Sequence, residues 1–135
     1  MYEGNKREKE IVGVIKAPIK VNKYEMDCIL SGAFEGGSNY WANRVRVINK
    51  DYKGAEFASE VISNGGKLDI YVDEYGDGSK DKRYRLTQKK LLKGCQLYTT
   101  GTKNTKPRAF DIDRWDSGDH DMILQYALFG EVIYG

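Results

Sequence analysis

Apolar residues along the chain change their period several times, and each change predicts an element. Residues 11–21, IVGVIKAPIKV, are β-branched at most positions and predict a strand, with Pro18 marking an edge or a bend. In YEMDCILSGAFE, the residues Met26, Ile29, Leu30, Ala33 and Phe34 share one helical face, and Gly36 and Gly37 follow. A short amphipathic helix is therefore expected over about residues 25–35. YWANRVRVINK returns to alternation, with Trp41, Val45 and Val47 on one face of a strand and Tyr40, Arg44 and Arg46 on the other. GAEFASEVISNGG predicts a helix from about Ala55 to Ser63, stopped by Asn64, Gly65 and Gly66. KLDIYVDEYGDGSKDKRYRL predicts a hairpin, with strands near 67–73 and 82–86 around a Gly-Asp-Gly-Ser tip. Thr87 suits the N-cap of TQKKLLKGCQLYTT, whose Leu91, Leu92 and Cys95, with Leu97 or Tyr98, point inward. The chain closes with the helix DHDMILQYALFG and the tail EVIYG.

Mixed helices and a mainly antiparallel sheet give an α+β class. The expected organisation is a mobile charged tail over residues 1–10, then one small domain over 11–135 with an antiparallel sheet and three to four short helices. One internal echo stands out: Asp27, Ile29, Leu30, Ala33, Gly36 and Tyr40 recur as Asp121, Ile123, Leu124, Ala127, Gly130 and Tyr134. In both copies the Asp is expected to open the helix against its positive end, and the two helices, at about 25–35 and 119–129, are expected to pack together. The same pattern also serves as a recipe for any short buried helix.

Composition narrows the picture modestly. Hydrophobic content of 40% with 31% charged residues is ordinary for a globular domain, and 22 basic against 20 acidic side chains leave a net charge of +2. Charge alone therefore does not imply nucleic-acid binding. Ten tyrosines against four phenylalanines and two tryptophans are unusual. Tyr offers flat apolar area with a hydroxyl at low entropy cost, so some of these rings are expected at a surface. Together with the apolar end VIYG they suggest a homo-oligomer joined through the end of the chain. Cys28 and Cys95 lie within helical patterns and read as reduced core thiols. The polar start MYEGNKREKE has no signal-peptide character, and no apolar run nears the ~20 residues of a membrane span. One His and two distant Cys do not make a zinc site, and no cofactor is implied.

The stretch AFEGGSNYW, residues 33–41, is the principal candidate for chemistry. Glu35 is an acceptor beside two glycines. Gly36 and Gly37 let a ligand approach backbone N–H groups, and Asn39 offers a polar edge. Tyr40 and Trp41 offer rings for stacking, and Arg44 and Arg46 phosphate contacts. Those parts suit a small anionic, nucleotide-like ligand. The alternative is a packing corner, in which the glycines make the turn and Trp41 fills the core. Neither a Walker loop nor a dinucleotide fingerprint occurs. A second meeting of cations and rings is KNTKPR with Arg108, Phe110, Arg114 and Trp115, but Asp111, Asp113, Asp116 and Asp119 beside it would repel a long phosphate backbone. His120 between Asp119 and Asp121 resembles a general base, though helix capping explains DSGDHD without catalysis. DEYGDGSKD, residues 73–81, imitates a calcium loop in composition but misses the Glu at its twelfth position.

AFEGGSNYW and ILQYALFGEVIYG, joined by the SNGG and YRLTQKKLLKG segments, resemble a family of small proteins found in phages and prophages of Gram-positive bacteria. The likeness covers about residues 20–135. It implies phage or prophage origin and work in the cytoplasm of a bacterial host cell, and it brings no catalytic residue. The implied role is similar to that of counter-defence proteins that bind cyclic nucleotide or ADP-ribose signals made by immune systems such as Thoeris. Two alternatives are a protein-binding inhibitor of a bacterial defence enzyme and an accessory nucleic-acid-binding phage protein.

Overall fold

Alternation carries the sheet as expected. A computed structural model, which describes residues 4–73 and 81–135, places β1 (Ala42–Val47), β2 (Leu68–Asp73) and β3 (Asp81–Leu86) in that order in one antiparallel sheet. Val45, Ile70 and Tyr84 align across the strands, as do Val47, Leu68 and Leu86, and these form the inner face. Arg44, Tyr71 and Arg83 align on the outer face, as do Arg46, Asp69 and Arg85. A bulge between Ala42 and Arg44 interrupts the alternation where β1 begins.

Among the described residues four helices complete the α+β domain: α1 (Gly4–Glu8), α2 (Lys23–Gly32), α3 (Gln88–Thr100) and α4 (Ser117–Phe129). Each of the last three starts at a side-chain cap. Asn22 accepts from the Glu25 N–H at 2.8 Å while the Glu25 carboxylate accepts from the Asn22 N–H at 2.9 Å. Thr87 accepts from Lys90 N–H, as its position suggested, and Asp116 accepts from the N–H groups of Gly118 and Asp119. α3 and α4 pack closely because residue 94 is Gly: a Cβ there would lie 2.5 Å from the Ile123 carbonyl oxygen. The core joins α2, α3, α4 and the inner sheet face through Ile29, Leu30, Ile62, Leu68, Ile70, Leu91, Ile123 and Leu124, all without measurable exposure.

The expected packing of the two echoed helices is found: α2 and a π-helical turn that extends it (Ala33–Gly37) lie against α4. Their aspartates do not open the helices, however. Asp27 and Asp121 are the fifth residues of α2 and α4, and Asn22 and Asp116 hold the cap positions.

Two expected elements are replaced. Residues 11–20 form no strand; they are exposed, with Ile11, Val12, Val14 and Ile15 each at least 82% accessible. A strand is a pairing, and β-branched residues without a partner ladder cannot make one. Residues 55–63 are not a helix but successive turns around one 3-10 turn (Ala58–Glu60). The Glu60 carboxylate accepts from the Phe57 N–H at 3.2 Å, and Gly66 closes the turns by donating to Val61 O at 2.9 Å. The residues inward of these bonds, Val61 and Ile62, still reach the core. The Gly-Asp-Gly-Ser hairpin tip and most of the acidic stretch 73–81 lie outside the described residues. Among the described residues no helix is long and apolar enough to cross a membrane.

Candidate functional site

The π-helical turn at the end of α2 closes with Ser38 N–H donating to Ala33 O at 2.8 Å, and Ser38 O then accepts from Trp41 and Ala42 N–H. This geometry turns three side-chain donors toward α4. Ser38 Oγ and Trp41 Nε1 donate to Asp121 Oδ1 at 2.8 and 2.7 Å, and Tyr40 Oη donates to Asp121 Oδ2 at 2.6 Å. Gln125, one turn along α4, adds a fourth donor at 3.1 Å. A carboxylate that is 7% exposed is thus supplied with four donors, which offsets its loss of water.

Gln125 is fully buried and extends the network. Its Oε1 accepts from the N–H groups of Ile133 and Tyr134, both at 2.8 Å, and its Nε2 donates to Tyr134 O. The Tyr134 ring is thereby held flat against Trp41, with centroids 5.4 Å apart and planes 4° apart, while Phe129 meets Trp41 edge-on. Gly37 is required by the same docking, since a Cβ there would lie 2.3 Å from the Ser117 carbonyl oxygen; around Gly36 a Cβ would meet nothing.

The SNYW part of the candidate stretch is therefore a polar clamp between the α2 end, α4 and the C-terminal tail. Trp41 is core, 3% exposed with its N–H bonded. Tyr40 lies in the turn before β1 rather than on a strand face; its ring is 58% exposed but its hydroxyl is engaged. Partial burial, then the hydrogen bond to Asp121, pushes the Tyr40 phenol up to about 12.

Three other candidates come together elsewhere. Glu35, Asn39 and Arg44 line one cleft of about 300 Å³ with Asn43, Phe57 and Ser59. The cleft lies beside the free edge of β1, and the Phe57 ring is 60% exposed. Beyond Glu35 it meets a second hollow lined by Tyr24, Asp27, Gly32 and Glu60, and the two share Ser31, Glu35, Phe57 and Ser59. One end of the combined cleft is thus lined by Arg44, whose guanidinium lies 4.1 Å from the Tyr71 ring centroid, and the other carries carboxylates. Asp27 Oδ1 is buried and accepts from no group among the described residues.

The remaining candidates are dispersed. Arg46 lies on the outer sheet face, 3.5 Å from the Tyr71 hydroxyl, and Arg114 pairs with Asp111 at 3.4 Å. His120 packs against Gly32, where a Cβ would strike its ring, and neither ring nitrogen finds a partner among the described residues. Burial lowers its pKa, opposed by Asp119 and Asp116. Its neighbour Asp119 accepts from the Tyr98 hydroxyl and from Asp116 N–H, so the DSGDHD segment is engaged in capping and packing. Burial pushes the Cys95 thiol up to about 12, and Cys28 and Cys95 are both free.

Sequence reasoning missed Asp121 and Gln125 as the centre of the clamp. The available signal was a polar pair four residues apart in DMILQYALF, Asp121 and Gln125, which places two hydrogen-bonding groups on one helix face. It also missed Phe57 and Asn43, which carry no signal beyond residue type. Among the described residues no group of three His, Cys, Asp or Glu side chains is placed to hold a metal ion. No family model matches the chain, and no curated protein or solved structure matches it either.

Proposed function

We propose that the protein binds a small anionic nucleotide-like ligand without transforming it, in the cleft beside β1. The observation that carries this reading is the gathering of Glu35, Asn39, Arg44 and a largely exposed Phe57 ring around one cavity. Arg44 takes a phosphate, Phe57 stacks on the base, and Asn39 reads its polar edge. Glu35, with the unpartnered Asp27 oxygen beyond it, favours a base or ribose that presents N–H or O–H donors. Tyr40 and Trp41 hold the wall of the fold rather than the ligand. Taken with the resemblance to phage and prophage proteins, the proposed role is sequestration of a cyclic nucleotide or ADP-ribose signal in a bacterial host cell.

Thermal unfolding with adenine and guanine nucleotides, ADP-ribose and their cyclic forms tests this. A ligand at 100-fold its Kd adds ~2.7 kcal/mol, which raises the melting temperature of a domain of this size by about 10 °C. Arg44→Gln and Phe57→Ala should each abolish the shift without changing the unliganded melting temperature by more than about 2 °C. Absence of a shift with all of these ligands overturns the reading.

A homo-oligomer belongs to the same proposal. Tyr134 is committed to Trp41, but Ile133 is 55% exposed, and the apolar side chains of 11–15 stand free of the domain. Light scattering at tens of micromolar should give a mass above that of one chain.

A further inference from the structure

The outer face of the sheet binds single-stranded nucleic acid, we infer, through Arg44, Arg46, Arg83, Arg85 and Tyr71. Strand register places the four arginines in two rows across the sheet, Arg44 and Arg83 flanking Tyr71, Arg46 and Arg85 flanking Asp69. All four are exposed. The single carboxylate among them, Asp69, is only 3% exposed; it pairs with Arg85 at 2.9 Å and reaches Arg83 at 4.0 Å. Across these two rows four cations stand against one covered carboxylate, and the next row of the same face holds Asp73 opposite Asp81. Lys50, with Arg46 at the end of β1, extends the arginine rows.

The geometry favours a single strand. Residues two apart on a strand are about 7 Å apart and neighbouring strands about 4.8 Å apart, so the guanidiniums outline a patch roughly 7 by 10 Å. That matches two or three successive phosphates of one strand and is too small to follow a duplex. Tyr71 sits at its centre with the Arg44 guanidinium 4.1 Å above the ring centroid and Arg46 at its hydroxyl. Stacked rings and guanidinium planes are the surfaces on which unpaired bases rest, whereas a duplex hides those base faces. The ladder ends at the Asp73↔Asp81 pair, which bounds the patch on the hairpin side.

The test is fluorescence anisotropy with a labelled oligothymidylate and a labelled oligouridylate of about 16 nucleotides. Wild type should bind at 50 mM salt and lose roughly 20-fold in affinity by 200 mM, the response to displacing counterions from about three phosphates of a single strand. Arg46→Gln with Arg83→Gln should weaken binding at least tenfold and flatten the salt dependence. Tyr71→Leu should weaken it with the salt slope unchanged, and Lys93→Gln, on the far helix, should leave it unchanged. Circular dichroism and melting temperature show that each variant is folded; if the double variant is not, the single Arg46→Gln serves, with a smaller loss. Arg46 and Arg83 lie outside the cleft beside β1, so the same double variant should keep any small-nucleotide thermal shift. No binding at 50 mM salt overturns the inference, and so does wild-type affinity in the double variant. Equal or tighter binding of a duplex of the same length, or of phosphatidylserine vesicles, overturns it as well.

Discussion

Replacing Asp121 by Ala removes the acceptor shared by four donors. Ser38 and Trp41 are 0% and 3% exposed, so their hydroxyl and indole N–H lose their partner without gaining water. Each such donor costs about 1–3 kcal/mol. Tyr40, 58% exposed, can turn its hydroxyl to solvent, and Gln125 retains the Tyr134 carbonyl, so these two add little. Relief from desolvating a charge offsets part of the loss. The expected net cost is about 2–4 kcal/mol, or roughly 8–16 °C in melting temperature. Asp121→Asn keeps the shape and one acceptor oxygen and should cost about half as much. Urea unfolding followed by tryptophan fluorescence measures both. The decisive comparison is a double-mutant cycle with Trp41→Phe, whose cost should fall by at least about 1 kcal/mol once Asp121 is absent. A loss below about 1 kcal/mol for Asp121→Ala, or additivity in the cycle, would show that the clamp does not hold the turn to α4.

Further expectations concern glycine placement and pH. Gly37→Ala should destabilise by about 2–4 kcal/mol because its Cβ would meet the Ser117 backbone, while Gly36→Ala should change stability by less than about 0.5 kcal/mol; equal effects in thermal denaturation would refute the close approach. His120 has its pKa lowered on folding, so its neutral form is favoured and stability should fall as pH drops below about 6.5, its unperturbed value; His120→Leu should remove that slope in urea titrations between pH 7 and 5. Tyr40 has its pKa raised, so its contribution should be intact below pH 10 and lost as pH rises toward about 12; a Tyr40→Phe chain that shows the same alkaline loss would count against this.

How much of this was legible in the sequence depends on whether the cause is local. Thr87 as a cap, the inward Leu91 and Cys95, and the alternation of Val45 and Val47 against Arg44 and Arg46 all follow from period and cap chemistry and appear, whereas Leu92, expected inward with them, is 41% exposed. The segment 11–20 has strand composition but no strand to pair with, which no local pattern reveals. In residues 55–63 a helical period is overridden by Glu60 and Gly66, whose backbone bonds favour consecutive turns over one short helix that is costly to nucleate. For the candidate site, Glu35, Asn39 and Arg44 were picked by residue type and do share a cleft. Tyr40, Trp41 and Gly37 were picked for the same reasons but answer to Asp121 and Ser117, partners about 80 residues away that spacing cannot show.

That separation also sets the order in which the molecule can form. Ser38 and Trp41 meet their acceptor across 83 and 80 residues, and bringing the ends of a loop that long together costs about 4 kcal/mol of chain entropy before any bond is made. During synthesis the first half of the chain, with α2 and the turn after it, therefore emerges with its inward donors unanswered and its apolar face uncovered. The contacts that complete it come from residues made late. Such a chain gains little from partial structure and should fold in one slow, all-or-none step, exposing residues 23–47 to aggregation or capture until α4 arrives.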